Sequence, residues 1–129
     1  MTRTKCASFA GATRGFALTA ELTAEVDLLA RRAGCTRFMV VLAALKLVLR
    51  AWTGQDDICV GSPVSVRSAP ELNSVVGLLV NSVVFRTDLA GDPTLDEVLR
   101  RVRAGTVDAL DHADLPLEQV IEAARLPRD

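Results

Sequence analysis

Apolar residues recur along the chain at two periods, one helical and one extended. Leu22, Val26, Leu29 and Ala33 are spaced for one helix face behind Thr19, which stands where an N-cap would. Glu21, Glu25 and Asp27 load the early turns, Arg31 and Arg32 the last, and Gly34 ends the run, so the charges agree with the helix dipole. Thr36 caps a second helix of another kind, running to about Trp52 and closed by Gly54. Its apolar residues surround almost the whole circumference and leave only Arg37, Lys46 and Arg50 as charged positions. That is the pattern of a helix buried on more than one side, and it predicts the packing centre of the fold. On this reading Leu45→Ala costs about 2–5 kcal/mol.

The extended period follows. Ile58, Cys59 and Val60 predict a short strand stopped by Gly61 and Pro63. A polar crossing, with one helical turn at 71–75, leads to a second strand at 78–85. Alternation puts Leu79, Asn81, Val83, Phe85 and Thr87 on one face and Leu78, Val80, Ser82, Val84, Arg86 and Asp88 on the other. Both faces are apolar until Arg86, which predicts a central strand whose embedded Asn81 has a partner or borders a cavity. Thr94 with Glu97 forms a capping-box signature for a third helix with an inward stripe of Leu95, Val98, Val102 and Leu110 and one internal glycine, Gly105. Pro116 breaks the chain and restarts it as a short helix through Ile121. Residues 16–18 read as a further short strand, and 1–14 as a flexible segment ahead of a domain at 15–129.

Composition narrows the class. A chain of 129 residues, half of them hydrophobic, can build one compact core. Its 15 basic and 16 acidic side chains are interspersed and sum to −1, which gives no extended field for nucleic acid or anionic lipid. Arg100, Arg101 and Arg103 form the densest basic cluster, either a solvated helix face or a contact for an acidic partner. Three cysteines, Cys6, Cys35 and Cys59, match neither a disulfide framework nor a zinc spacing, and a reducing cytosol is the simplest setting. The longest apolar stretch, 38–45, is too short to span a bilayer, and no secretory signal pattern opens the chain. The expected location is cytoplasmic.

No catalytic constellation emerges. The only histidine, His112, can form no His pair, and no metal site follows from it and three scattered cysteines. Ser62 and Ser65 lack a nucleophile-elbow context, and no phosphate-binding glycine loop is present. His112, flanked by Asp111 and Asp114, is either a tuned acid or base or a helix-end histidine bonded to a carbonyl or carboxylate. Arg67, just after a buried strand, either points into a cleft to hold a carboxylate or a loop, or is solvated.

The order of blocks carries a resemblance. CTRFMVVLAALKLVLRAWTGQDDICVGSPVSVR, then VVGLLVNSVVFRTDL, then HADLPLEQVI, then a terminal RD resembles the C-terminal lobe of condensation domains of non-ribosomal peptide synthetases, in the chloramphenicol-acetyltransferase-like, CoA-dependent acyltransferase fold. Gly77, Val80, Asn81 and Ser82 look like the family's IGxFVNT block, with Leu78 and Leu79 where an aromatic is usual and Ser for Thr. His112, Asp114, Pro116 and Glu118 match HQDxPFE, with Ala for Gln and Leu for Phe. Arg128 and Asp129 look like the start of RDxSxNPL, and Gly61 and Pro63 fall in the first block.

The resemblance implies an α/β open-faced sandwich lobe, a mixed sheet of few strands covered by about four helices. It would form one wall of a tunnel where two thioesters meet, each carried on the phosphopantetheine arm of a carrier protein, with no cofactor bound directly. Arg67, Gly77, Asn81 and Ser82 are the candidates for the tunnel or lobe interface. Gly61, Pro63, His112, Asp114, Pro116, Glu118, Arg128 and Asp129 are expected to be structural. The family's HHxxxDG motif belongs to the other lobe and does not occur here, nor does the closing strand after RD. Three readings follow: a partial domain, silent alone, whose exposed apolar wall predicts self-association or need of a partner such as the N-terminal lobe; a split enzyme completed by an N-terminal lobe on another chain; or a non-catalytic carrier-docking module. The sequence assigns no catalytic residue, and no nucleic-acid or membrane partner.

Overall fold

The computed structural model describes residues 11–67 and 69–125. In chain order the elements are α1 (Ala20–Arg32), α2 (Arg37–Thr53), β1 (Asp57–Ser65), a 3-10 turn (Pro70–Ser74), β2 (Val80–Asp88), α3 (Leu95–Asp111) and α4 (Leu117–Ala123). The class is α/β with four helices, as expected. The sheet, expected to be mixed, is a single antiparallel pair among the described residues, with Ile58 opposite Thr87 and Val64 opposite Asn81. Residues 11–19 hold no strand: a three-residue run at 16–18 offers too few ladder bonds to persist without a packed face, and Phe16 is exposed. Of the segment 1–14, residues 1–10 lie outside the described residues, as do Cys6, Arg128 and Asp129.

The helix starts form as their sequences dictate. Thr19 Oγ1 accepts the Leu22 amide at 3.2 Å, and Thr94 Oγ1 accepts that of Glu97 at 3.4 Å. Thr36 Oγ1 accepts the Met39 amide at 3.2 Å while the Met39 sulfur accepts the Thr36 amide at 3.4 Å. A thioether thus takes the place of the usual Glu or Gln of a capping box. Gly54, at φ 69°, supplies the left-handed residue that ends α2. The Glu97 carboxylate, held down to about 2 by hydrogen bonds from Arg100 and then Arg101, is engaged with those two side chains.

α2 and α3 pack across one face of the sheet. Ile58, Val83 and Phe85 meet Val40, Leu42 and Ala43 of α2 and Val98, Leu99 and Val102 of α3. The ring of Phe38 stands edge-on to Phe85, centroids 5.5 Å apart. The opposite face of the sheet, with Val80, Val84 and Arg86, is exposed. β2 is therefore a one-sided strand rather than one coated on both faces, because helices cover only one side of the pair among the described residues.

β1 also departs from expectation, since it runs through Gly61 and Pro63 instead of stopping there. The bonds from Val66 N to Leu79 O and from Leu89 N to Asp56 O place the ladder on even-numbered residues of β1. Pro63, opposite Ser82, falls where no ladder amide is required. In α3 the buried stripe is Val98, Leu99, Val102 and Thr106, whereas Leu95 and Leu110 are exposed near its two ends. Gly105 has a packing reason: a Cβ there would stand 2.9 Å from the Arg86 carbonyl oxygen, so α3 rests on the backbone of β2.

The largest correction concerns α2. Met39, Val40, Leu42, Ala43 and Lys46 face the core, while Phe38, Val41, Leu45, Val48 and Trp52 are exposed. The helix is apolar all round, yet this chain covers one side of it. Leu45 is 45% exposed, so the cost expected for its truncation belongs to its neighbour Leu42, at 4%. Lys46, one of the charged positions in the sequence pattern, is 1% exposed, its ammonium donating to Phe85 O at 2.9 Å and Thr87 Oγ1 at 2.6 Å. Desolvation by burial lowers its pKa from 10.5 to about 8.

Leu42→Ala is expected to cost about 2–5 kcal/mol, read from denaturant midpoints, and Leu45→Ala well under half of that. An unfolded Lys46 titrates near 10.5 and the folded one near 8, so between those values the unfolded state binds more protons and stability rises with pH. The rise between pH 8 and 10 is on the order of a few kcal/mol and is absent in Lys46→Met, as read by chemical denaturation at a series of pH values.

Candidate functional site

The sequence-selected residues gather at two places. The first is the crossing between the strands, closed at its base by the Val66 N to Leu79 O bond of 3.1 Å. Within it the Arg67 guanidinium donates to the carbonyls of Leu72, Val75 at 3.0 Å and Gly77 at 3.2 Å. Of the alternatives open for Arg67, the geometry is that of a cation holding a loop. Its partners are peptide oxygens, which gather Arg67 and Gly77 into one unit around the 3-10 turn. That turn lies near the helical turn expected at 71–75.

The second place is the junction of β2 with the turn between α3 and α4. Asn81 Nδ2 donates to Ala113 O at 2.8 Å and Leu115 O at 2.6 Å, while Asn81 Oδ1 accepts the Ser82 amide at 2.8 Å. The partner that an amide in a strand requires is thus the HADLP turn. Both amide hydrogens are spent on backbone carbonyls. Ser82, one residue on, lines a groove of about 320 Å³ with Val84, Asp108, His112, Leu117 and Val120. The groove runs between β2, the second half of α3, and α4.

His112 closes α3. Its Nδ1 lies 2.8 Å from the Asp108 carbonyl and 3.9 Å from the Asp108 carboxylate. The hydrogen bond to that carbonyl, and next the carboxylate charge, raise its pKa above the ordinary value. This is the helix-end arrangement. Pro116 precedes α4 as its N-cap, its carbonyl accepting the Gln119 amide at 3.0 Å, and Asp114 and Glu118 stand around the same turn. Gly61 and Pro63 sit apart, on the exposed sheet face opposite Val84 and Ser82.

Sequence reasoning misses three contributors. Lys46 is the buried cation tying α2 to β2, and its place among apolar neighbours is the available signal. Asp108 and Ala109 join Gly105 and His112 on the groove side of α3, and their spacing of three and four groups them with His112. What the site offers chemically is positioning. The Thr87 hydroxyl bonded to Lys46 is buried with it, no exposed nucleophile is hydrogen-bonded to a base among the described residues, and no group of three or more His, Cys, Asp or Glu there could hold a metal ion. No helix among them is long and apolar enough to cross a membrane.

Asn81→Ala removes both bonds to the turn at once and is expected to cost about 1–3 kcal/mol. Asn81→Asp is worse, since a carboxylate would face two carbonyl oxygens. Amide exchange in the turn quickens in both variants, which NMR on the folded chain reads directly; unchanged exchange would refute the pin.

The profile of the Condensation domain family matches residues 1–129. Malpinin synthetase of Mortierella alpina is 46% identical over 121 residues, covering 94% of this chain and 2% of that protein. Tyrocidine synthase 2 of Brevibacillus parabrevis is 39% identical over 122 residues, covering 95% of this chain and 3% of that protein. The SgcC5 protein of Streptomyces globisporus superposes with a TM-score of 0.78 at 34% identity, over 83% of this chain and 24% of that one. A four-domain holo nonribosomal peptide synthetase shares the fold with a TM-score of 0.84 at 24% identity, over 88% of this chain and 9% of that one. The chain thus spans only 2% to 3% of the length of these two curated relatives. The shared fold and a match along the whole sequence agree: this chain belongs to the condensation domain family.

Proposed function

We propose that this chain forms one wall of the acyl-transfer tunnel of a condensation domain in non-ribosomal peptide synthesis, and that by itself it turns nothing over. The observation that carries the reading is the one-sided core. α2 and the sheet each bury one face and present the other, apolar along α2, as a wall does before its opposite wall is added. The single histidine spends Nδ1 on the Asp108 carbonyl at the end of α3, and the paired histidines that the resemblance implies for the step are not in this sequence. Half a cleft supplies half of the positioning that joins two reactants. Arg67 and Gly77 shape the loop at one end of the strand pair, and at the same end Asn81, itself anchored by the Ser82 amide, fixes the HADLP turn.

The substrates are carrier-bound: a donor acyl group and an acceptor aminoacyl group, each on a phosphopantetheine arm, with nothing bound directly as a cofactor. The missing catalytic group is supplied by an N-terminal lobe bearing HHxxxDG, on the same or another polypeptide. A docking role for carrier proteins is the second reading, favoured by the groove where Arg32, Arg100 and Arg103 surround Leu29 and Ala33 beside one carboxylate, Asp96. It predicts carrier binding without turnover, weakened by salt.

The test is reconstitution. Mixed with an HHxxxDG-bearing N-terminal lobe and two loaded carriers, the chain yields a dipeptidyl thioester detectable by intact-protein mass spectrometry, and alone it yields none. Product from the chain alone, or none from the mixture of folded components, counts against the proposal.

A further inference from the structure

We propose that Lys46 sets the register of β2, and that through this register it is a positioning residue for Asn81 and for the HADLP turn that Asn81 holds. The consequence for acyl transfer rests on the tunnel-wall reading; the register itself does not.

The register of an antiparallel pair is ordinarily fixed by a short turn between its strands. Here the connection runs through residues 66–79, which is too long to dictate it. Alternation decides which face of β2 is buried, but a slip of two residues leaves the alternation unchanged. The choice among registers that keep an apolar face inward therefore falls to a specific contact.

Only residues 54–56 separate α2 from β1, so β1 has little freedom along the helix. β2 has no such tether. Among the described residues, the α2 side chain that hydrogen-bonds to it is Lys46, whose ammonium donates to Phe85 O at 2.9 Å and Thr87 Oγ1 at 2.6 Å. Thr87 carries the only hydroxyl on the inward face of β2, beside Asn81, Val83 and Phe85. A slip of two residues one way brings Leu89 to the place of Thr87 and Val83 to that of Asn81; the other way brings Phe85 and Leu79. Apolar misfits of this kind relax by side-chain shifts, whereas an ammonium buried with an acceptor missing keeps its desolvation cost.

In the register that satisfies Lys46, Asn81 stands opposite Val64 and reaches the Ala113 and Leu115 carbonyls at 2.8 and 2.6 Å. Thr87 and Asn81 share one face of one strand, so the first contact places the second. α2 buries five residues and the HADLP turn none, so the strand is anchored at the Lys46 end and the turn follows.

Cys59 makes the register readable. It lies opposite Arg86 on the exposed face, in a pair without ladder bonds, where side chains come close enough to bridge. In a parent chain carrying Cys6→Ser, Arg86→Cys is expected to give one disulfide, between Cys59 and position 86, identified by peptide mapping. A slip of two residues moves position 84 or 88 opposite Cys59, so Val84→Cys and Asp88→Cys report the slipped registers and stay unbridged in the parent. Lys46→Met and Thr87→Val, each close in size to what it replaces, keep the circular dichroism spectrum and shift bridging from position 86 toward 84 or 88. Thr87→Ser, which retains the hydroxyl, holds the parent pattern. Unshifted bridging in Lys46→Met and Thr87→Val overturns the proposal, as does a Lys46→Met chain that fails to fold or a Thr87→Ser chain that slips like Thr87→Val. Reconstitution with an N-terminal lobe separates this from the reading beneath it. A chain that bridges as expected yet restores no turnover keeps the register and removes the tunnel wall, while full turnover in a slipped Lys46→Met chain keeps the wall and removes Lys46 as a positioning residue.

Discussion

Two strands cannot hold a sheet together in water, and here the packing of α2 and α3 on one side of β1 and β2 is what makes the pair possible. Phe85 is the meeting point. Its ring lies between the helices, its carbonyl takes the Lys46 ammonium, and the next strand carbonyl, at Arg86, bears on Gly105 of α3. Both helices are thus set against the backbone of β2 as well as its side chains. A buried ammonium without a carboxylate at hydrogen-bond distance is a weak source of stability, and its depressed pKa records the cost of that burial. What it contributes is register, because neither a slipped helix nor a slipped strand would offer it the same two oxygens.

The helix boundaries are legible in the residues. Thr19, Thr36 and Thr94 cap where their side chains can reach an amide, and Gly34 and Gly54 take the left-handed backbone at the other ends. The environment of α2 is not legible, because an apolar circumference states that a helix can be covered on all sides, and says nothing about whether this chain supplies the cover. Lys46 escapes sequence reasoning for a related reason. A lone cation on an apolar helix is ordinarily solvated, and only the strand opposite, with one carbonyl and one threonine hydroxyl in reach, makes the interior acceptable. Pro63 looks like a stop because local rules do not say on which side of the ladder a residue will fall.

At the site, the need is legible and the partner is not. An amide within an apolar strand has to be satisfied, but the carbonyls that satisfy Asn81 lie 32 and 34 residues further on. Two of the sequence blocks that resemble the family, one around Asn81 and one around the HADLP turn, are therefore one physical object, a strand residue and the turn it holds. The same geometry frames the groove beside Ser82 and His112, so altering the turn would reshape the groove.

The crossing between the strands carries a consequence of its own. One guanidinium there satisfies carbonyls at Leu72, Val75 and Gly77 together. Swinging that side chain away hands the Val75 and Gly77 oxygens to solvent, while the Leu72 oxygen keeps the Val75 amide. Loss of this one side chain therefore loosens the excursion at two points, while the backbone pair at its mouth ties it to the ladder.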